Sequence, residues 1–462
     1  MGKLGSLRVE KLFSLDFSGT AVVSDDGKVV SYAELKRMTD EWAAKVPARS
    51  LVFLLVGNNL DSLVAYVACL NHGIVPLMLD AKIDVQLLQR FIDVYHPDFI
   101  WRPCGEGYVL QEGQRTEDKG QRVLYDDLAL LLTTSGSTGS PKLVRQSYKN
   151  IKANTASIVE YLKLDSTERP ITTLPMNYTY ALSIIYSHLA VGATILLTEK
   201  SIMQREFWNF FTEQGATSFG GVPYTYEMLD KLMFFRRKLP SLRTMTQAGG
   251  KILPVLHQKF AEYAQCEGKN FVVMYGQCEA TARMSYLPPK RALDKVGSMG
   301  IAIPGGKFTL IDVDGKEITE PEVTGELVYD GANVTLGYAE CAEDLAKGDE
   351  RHGRLVTGDM AKRDNEGFFY IVGRKKRFLK IFGNRVNLDE TERLIKGAFP
   401  GFDCACGGKD DKMKIYVTDG DQLQVVRDFI ADKTHLNFAA FEVVPVPAIP
   451  KNASGKTLYS EL

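Results

Sequence analysis

Six apolar residues run without a polar interruption at Leu51-Val-Phe-Leu-Leu-Val56. A short continuous apolar run of this kind reads as a strand buried on both faces, the signature of a parallel sheet interior. Asp61–Leu70 follows with apolar residues at helical spacing, and Gly73-Ile-Val-Pro-Leu returns the chain to extended structure. Similar alternation recurs around Ala193–Leu197, Phe207–Phe211, Thr217–Phe219 and Phe271–Met274. Strand and helix in alternation predict α/β architecture with largely parallel sheets.

Past Gly300 the pattern changes. Lys307–Val313, Glu326–Tyr329, Arg354–Thr357 and Phe368–Val372 are short strand-like stretches separated by Asp-Gly, Gly-Glu, Gly-Asp and Glu-Gly turns. They predict a compact, antiparallel, barrel-like unit. Arg374–Arg385 then carries six basic residues and no acid in twelve positions. The remainder reads as a small α/β domain: a helix over Thr391–Phe399, a strand over Met413–Val417, a helix over Asp421–Lys433 and a strand over Phe441–Val446. The basic stretch is the candidate junction, dividing a large region, 1–375, from a smaller one, 376–462.

Composition excludes several classes. Among 462 residues, 56 Lys and Arg face 57 Asp and Glu, a net charge of −1. That balance does not suit a general nucleic-acid binder or a coat for acidic membranes. Seven cysteines (69, 104, 266, 278, 341, 404 and 406) form no disulfide framework, which predicts a reducing compartment. Cys404 and Cys406 lack a second ligand pair at zinc spacing and read as small core hydrophobes. The six histidines form no HxxxH or HExxH pattern. No run approaches the roughly 20 apolar residues of a membrane span. Met1-Gly2 with Ser6 fits the short myristoylation pattern, but nothing else asks for an anchor. The expectation is a soluble cytoplasmic protein.

The chemistry concentrates at Thr133-Thr-Ser-Gly-Ser-Thr-Gly-Ser-Pro-Lys142, directly after the strand-like Leu128–Leu132. Ten residues hold six hydroxyls, two glycines and one lysine, with no acid. Glycine lets backbone N–H groups approach an anion, and Ser/Thr hydroxyls with a terminal lysine complete a phosphate cradle. A Walker loop is excluded. Gly455-Lys-Thr457 lacks the glycine five residues earlier, where Pro450 stands.

TTSGSTGSPK resembles the phosphate loop of the adenylate-forming enzymes: acyl- and aryl-CoA ligases, luciferases and the adenylation domains of peptide synthetases. The resemblance runs in order along nearly the whole chain. Ser31–Leu35, Gly73–Asp80, Gln247-Ala-Gly-Gly250 and Met274-Tyr-Gly-Gln-Cys-Glu-Ala-Thr281 come first. Gly325-Glu-Leu-Val, Val334–Tyr338, Thr357-Gly-Asp359, Gly373-Arg374, Lys380-x-x-Gly383 and Pro450–Lys456 follow. Eight or more ordered matches identify the family, though most would mean little alone.

The resemblance implies that an acid and ATP form an acyl-adenylate with release of pyrophosphate, and that the acyl group then passes to a thiol. It implies that Thr133, Ser135, Gly136, Ser137, Thr138, Gly139 and Lys142 hold the β- and γ-phosphates. Glu279 would bind Mg²⁺, and Thr281 would meet the α-phosphate region. Asp359 and Arg374 would hold the ribose hydroxyls, while Gly249, Gly250, Tyr275 and Gly276 enclose adenine. Lys456 would reach the α-phosphate and acyl oxygens as charge builds. Lys376 occupies the hinge position, and Gly383 lies on the face offered for thioester formation.

Leu174–Ser183 resembles the aromatic-gate segment of aryl-CoA ligases, with Tyr178 at the gate and Asn177 replacing an aromatic. Without an acid in Asn177–Ser183, an acid substrate lacking an α-amino group is favoured. The resemblance draws the acyl pocket from Tyr178, Thr179, Gly220, Gly221, Val222, Gln247, Ala248, Gln277, Cys278 and Met299, compatible with an aryl or medium acyl chain. Gly220-Gly221 reads either as room at the pocket floor or as a turn. The acceptor is CoA or the phosphopantetheine arm of an acyl carrier protein. Rival readings are an amine acceptor, a catalytically silent nucleotide-binding homologue and, more distantly, a basic nucleic-acid binder.

Overall fold

A computed structural model describes residues 11–113, 122–133, 142–382, 384–399, 401, 403–451 and 457–462. Leu51–Val56 is a strand buried at every position, paired in parallel with Val75–Asp80 and Phe99–Cys104. The crossover helix Leu60–Asn71 starts where the Asn59 side chain accepts the Ser62 N–H at 3.0 Å, which satisfies one of the first-turn donors. Leu128–Thr133 adds in parallel to Val75–Asp80, and the antiparallel strands Leu143–Ser147 and Gly337–Ala339 extend that edge. Gly107–Glu112 closes the opposite edge, giving seven strands.

A second sheet of nine strands has a parallel centre formed by Pro170–Ile171, Ile195–Leu197, Ser218–Gly221, Thr244–Gln247 and Asn270–Tyr275. One core cluster unites the two sheets. It holds Val52, Leu54 and Met78 from the first, Val22 and Ile195 from the second, and the helix residues Leu63, Tyr66 and Leu182. Each such side chain contributes about 1.5–3 kcal/mol of hydrophobic stabilisation. That shared core fixes the ends of both sheets relative to each other.

The antiparallel unit beyond residue 300 is a four-stranded sheet in the order Gly306–Ile311, Gly325–Gly331, Arg354–Arg363 and Phe369–Arg374. Its outer strands are not paired with each other, so the sheet is open. The Gly358-Asp359 step, expected as a turn, lies inside the strand Arg354–Arg363. Gly358 takes φ +71°, a value glycine tolerates without a Cβ penalty, and the strand continues.

Beyond Arg377, the hairpin of Phe378–Ile381 and Asn384–Asn387 leads into a three-stranded sheet of Cys404–Lys409, Lys412–Val417 and Phe441–Pro445. The helices Leu388–Ala398 and Leu423–Thr434 pack on it. The first starts three residues before its expected position, because the Asn387 side chain accepts the N–H groups of Asp389 and Glu390. Cys404 and Cys406 are buried in this core with Ile395, Ile415, Val426, Ile430 and Phe441. Their strand escapes sequence patterning because Gly407 and Gly408 follow directly. No described helix is long and apolar enough to cross a membrane.

Candidate active site

The hydroxyl-and-glycine run connects two paired strands. Thr133 sits opposite Leu143 in the antiparallel pair, so both ends of the run are held at a hairpin mouth. Ser135, Gly136, Ser137, Thr138 and Gly139 lie outside the described residues, as do Gly383 and Lys456. Lys142, at the far end, places Nζ 3.8 Å from the Tyr338 ring centroid and 3.2 Å from Glu340 Oε1. Tyr338 lies on Gly337–Ala339, paired with the strand Leu143–Ser147 that Lys142 precedes, and its hydroxyl donates to Glu279 Oε1 at 2.8 Å. Arg351 adds charge beside the same ring at 4.6 Å and donates to the Glu279 carbonyl at 3.1 Å. Lys142 and Glu279, distant in sequence, thus meet through one tyrosine.

Five residues of chain carry the site from Glu279 to Tyr275 at the end of its strand. Tyr275 OH donates to Asp359 Oδ2 at 2.5 Å, Gln277 Nε2 donates to the same oxygen at 2.7 Å, and Arg374 Nε stands 2.8 Å from Oδ1. Asp359 and Arg374 are direct register partners across two antiparallel strands, which is why they meet. Asp359 is buried, and burial pushes its carboxyl up from the ordinary value, opposed by Arg374, Tyr275 and Gln277. Burial, then the Asp359 charge, pushes the Tyr275 phenol well up, which keeps it a donor. Gly276 permits the turn that follows: a Cβ there would lie 1.6 Å from the Ala282 carbonyl oxygen.

On the acid side, Tyr178 precedes the helix Thr179–Leu189 and faces Gly249. A Cβ at Gly249, whose φ is +83°, would lie 2.6 Å from the Tyr178 hydroxyl and 3.0 Å from Val222 Cγ1. Gly250 packs against Pro223. The buried Gln247 side chain braces this turn by donating to the Ala248 and Gly250 carbonyls at 3.2 and 2.8 Å. Val222 and Ala248 share an apolar cluster with Leu174, Tyr180, Val272 and Met274, against which Tyr178 packs. Thr179 is buried at the start of its helix, and Cys278 is half-buried.

Four of the expected site positions have these surroundings. Gly220 and Gly221 lie in a strand, and their space is filled: a Cβ on Gly220 would meet Ile184 at 2.7 Å and the Tyr180 hydroxyl at 2.9 Å, and one on Gly221 would meet Thr225. Gln277 belongs with Asp359 rather than with the acyl pocket, because its amide is committed to Asp359, the Tyr275 hydroxyl and the Thr357 carbonyl. Met299 packs with Ala280, Met284 and Phe308 in a separate core. Thr281 is fully buried, and its Oγ1 is committed to the Asn333 carbonyl at 2.7 Å.

Sequence reasoning missed Tyr338, Arg351 and Arg283. Tyr338 closes the Val334–Tyr338 motif, but nothing local signals that its partner is Lys142. Around the junction, Lys375 pairs with Glu326 at 2.6 Å, and Arg377 pairs with Asp389 and Glu392, both at 2.5 Å. Lys376 is exposed and makes no ion pair among the described residues. No group of three or more metal-ligating side chains forms among the described residues.

Comparison with known proteins gives the family and the fold. The family model for AMP-binding enzymes matches residues 17–339. The 2-succinylbenzoate–CoA ligase of Bacillus subtilis (strain 168) is 24% identical over 424 residues, covering 85% of this chain and 82% of that protein. The peroxisomal OPC-8:0-CoA ligase 1 of Arabidopsis thaliana is 30% identical over 382 residues, covering 78% and 68%. Among solved structures, o-succinylbenzoate CoA synthetase from Bacillus subtilis, in complex with its acyl-adenylate intermediate, shares the fold. Its TM-score is 0.78 at 21% identity, over 95% of this chain and 94% of that one. The chain belongs to the AMP-binding enzyme family and is an acid–thiol ligase of the AMP-forming type, activating a carboxylic acid as its acyl-adenylate before passing the acyl group to a thiol.

Proposed function

We propose that the chain uses ATP and Mg²⁺ to adenylate a carboxylic acid and delivers the acyl group to CoA. The observation that carries the reading is the Tyr275–Glu279 segment, whose ends meet the Asp359–Arg374 pair on one side and Lys142, through Tyr338, on the other. A nucleotide laid along this segment has a carboxylate for its ribose at one end and a cation for its phosphates at the other. Asp359 has about four acceptor sites. Tyr275, Gln277 and Arg374 take three of them, leaving one on Oδ1 for a ribose hydroxyl. Thr133 and Lys142 hold the ends of the phosphate loop, and residues 135–139 supply its hydroxyls and N–H groups.

Glu279 fits Mg²⁺ in the way that ion is usually held, by one or two carboxylates plus substrate phosphates. Among the described residues Tyr338 engages only its Oε1, so Oε2 is available. Bound there, the ion neutralises phosphate charge. Tyr178 at the Gly249 turn bounds the acid, with Val222 and Ala248 as apolar walls. Lys456 supplies the second cation at the reacting oxygens. The smaller region, 376–462, rotates about Lys376 to bring the face containing Gly383 to the thiol, which divides catalysis between two conformations. An exposed lysine at the pivot, without an ion pair among the described residues, and a self-contained core beyond residue 378 support that division.

ATP–pyrophosphate exchange across a panel of benzoic, cinnamic, fatty and amino acids tests the first half-reaction without requiring the acceptor. Product analysis with CoA, a carrier protein and an amine then decides the second. Exchange with none of these acids and with none of the corresponding dicarboxylic acids, in a folded protein, refutes the reading.

A further inference from the structure

Two arginines are buried in the large region, and they are treated very differently. Arg145 is saturated: it donates to the carbonyls of Tyr338, Lys347, Gly348 and Leu336 and pairs with Glu350. Arg283, 2% exposed, has no carboxylate among the described residues. Nε donates to Ser183 Oγ at 2.9 Å, and Nη1 donates to Tyr161 OH at 3.0 Å and lies 3.6 Å from Met274 Sδ. Nη2 makes no hydrogen bond to a described residue. Its titratable neighbours are Tyr161, Tyr180, Tyr186 and His188, all neutral near pH 7: burial pushes the phenols up, and burial, with the Arg283 charge, pushes His188 down to about 4.

Stripping water from a cation costs several kcal/mol unless an anion and hydrogen bonds replace it. An arginine always keeps its charge, so it cannot escape that cost by losing a proton. Arg283 lies beside the aromatic pair of the proposed acid region. Arg283 Cζ lies 5.4 Å from the centre of the Tyr180 ring, and that ring lies 6.3 Å from the ring of Tyr178 at the Gly249 turn. Tyr180 and Met274 belong to the same apolar cluster as Val222 and Ala248. A positive charge without a described counter-charge therefore stands against the apolar and aromatic cluster that bounds the proposed acid site.

We propose that Arg283 is the specificity-determining residue of the acid site, and that the substrate is a carboxylic acid bearing a second carboxylate, which pairs with the Arg283 guanidinium. This rests on the acid-adenylating function proposed above. The distal carboxylate accepts from Nη2 and neutralises the buried charge, while the other carboxylate remains for attack on the α-phosphate. A monocarboxylate of equal length would leave the guanidinium buried and unpaired, the kind of mismatch a polar site rejects strongly.

The test is ATP–pyrophosphate exchange with matched pairs: linear dicarboxylates of three to eight carbons against monocarboxylates of the same length, and benzoates with and without a distal carboxylate. The wild-type chain is expected to favour at least one diacid over its partner by tenfold or more in kcat/KM. Arg283→Met is expected to erase or invert that preference, and Arg283→Lys to retain part of it. Exchange by the wild-type chain with monoacids equal to or better than every diacid overturns the assignment and leaves the ligase reading standing. Preference surviving in Arg283→Met does the same. If the Met variant does not fold, the wild-type ratio and Arg283→Lys decide. Exchange with no acid at all, in protein that still binds ATP, refutes the adenylating function and this assignment with it.

Discussion

Asparagine at position 359 keeps the size of the side chain and removes one acceptor oxygen together with the charge. Tyr275 and Gln277 both donate to Oδ2, and Arg374 donates to Oδ1. An amide facing these groups must turn its NH₂ toward one of them, so donor meets donor. Leaving a buried donor unsatisfied costs about 1–3 kcal/mol. Arg374 keeps access to water, its side chain being 49% exposed, so losing that pairing adds only about 1 kcal/mol or less. The unfolding free energy of Asp359→Asn in urea is expected to fall by about 2–3 kcal/mol. If a ribose hydroxyl donates to the free site on Oδ1, a hydrogen bond to a charged group, about 1.5–3 kcal/mol, is lost as well. The KM for ATP in pyrophosphate exchange then rises by roughly 10- to 100-fold. Urea denaturation reads the first quantity and the exchange assay the second. A variant within 1 kcal/mol of wild type, with its ATP KM within about twofold, would show that the cluster neither braces the site nor holds the nucleotide.

Arg374→Gln removes the cation that opposes the upward push of burial on Asp359, so the acidic limb of the ATP KM profile should move to higher pH. An unmoved limb removes Asp359 as its source. Tyr338→Phe keeps the ring beside Lys142 but deletes the donor to Glu279, and kcat/KM for ATP should drop about tenfold, in line with a charge-assisted hydrogen bond. His257 accepts the Gly297 N–H on Nδ1 and meets the Ala292 carbonyl through Nε2, an arrangement only the neutral ring can make; burial takes it from its ordinary value of 6.5 to about 4. Because the unfolded chain binds the proton first, its contribution is complete above pH 6.5, declines below it and is gone by pH 4, a loss of about 3 kcal/mol. Urea denaturation of wild type and His257→Gln between pH 4 and 7 checks this, and parallel slopes would contradict it. Lys456→Ala should lose adenylate formation by at least about tenfold yet still use a preformed acyl-adenylate. Equal loss of both half-reactions would end the two-conformation account.

Parts of this protein were readable without coordinates because their cause is local. The run at Leu51–Val56 is apolar at every position, and only a strand covered on both sides accommodates it. The Asp359 and Arg374 motifs could be located, and so could the loop from Thr133 to Lys142, because glycines and hydroxyls have little reason to cluster otherwise. What those residues touch was not readable. Gln277 looks like a pocket residue until a strand eighty residues later supplies Asp359, and the paired glycines suggest room until Tyr180 and Ile184 fill it.

Sequence alone determined the kind of chemistry, since phosphate cradles and ordered motifs depend on residue type and spacing. Only the tertiary structure decided which charges are satisfied. Glu350 lies 205 residues from Arg145 and reaches it, while Arg283 is enclosed by helix and strand with no described acid brought alongside. A charge and its partner meet through packing, and a linear pattern carries no record of that distance.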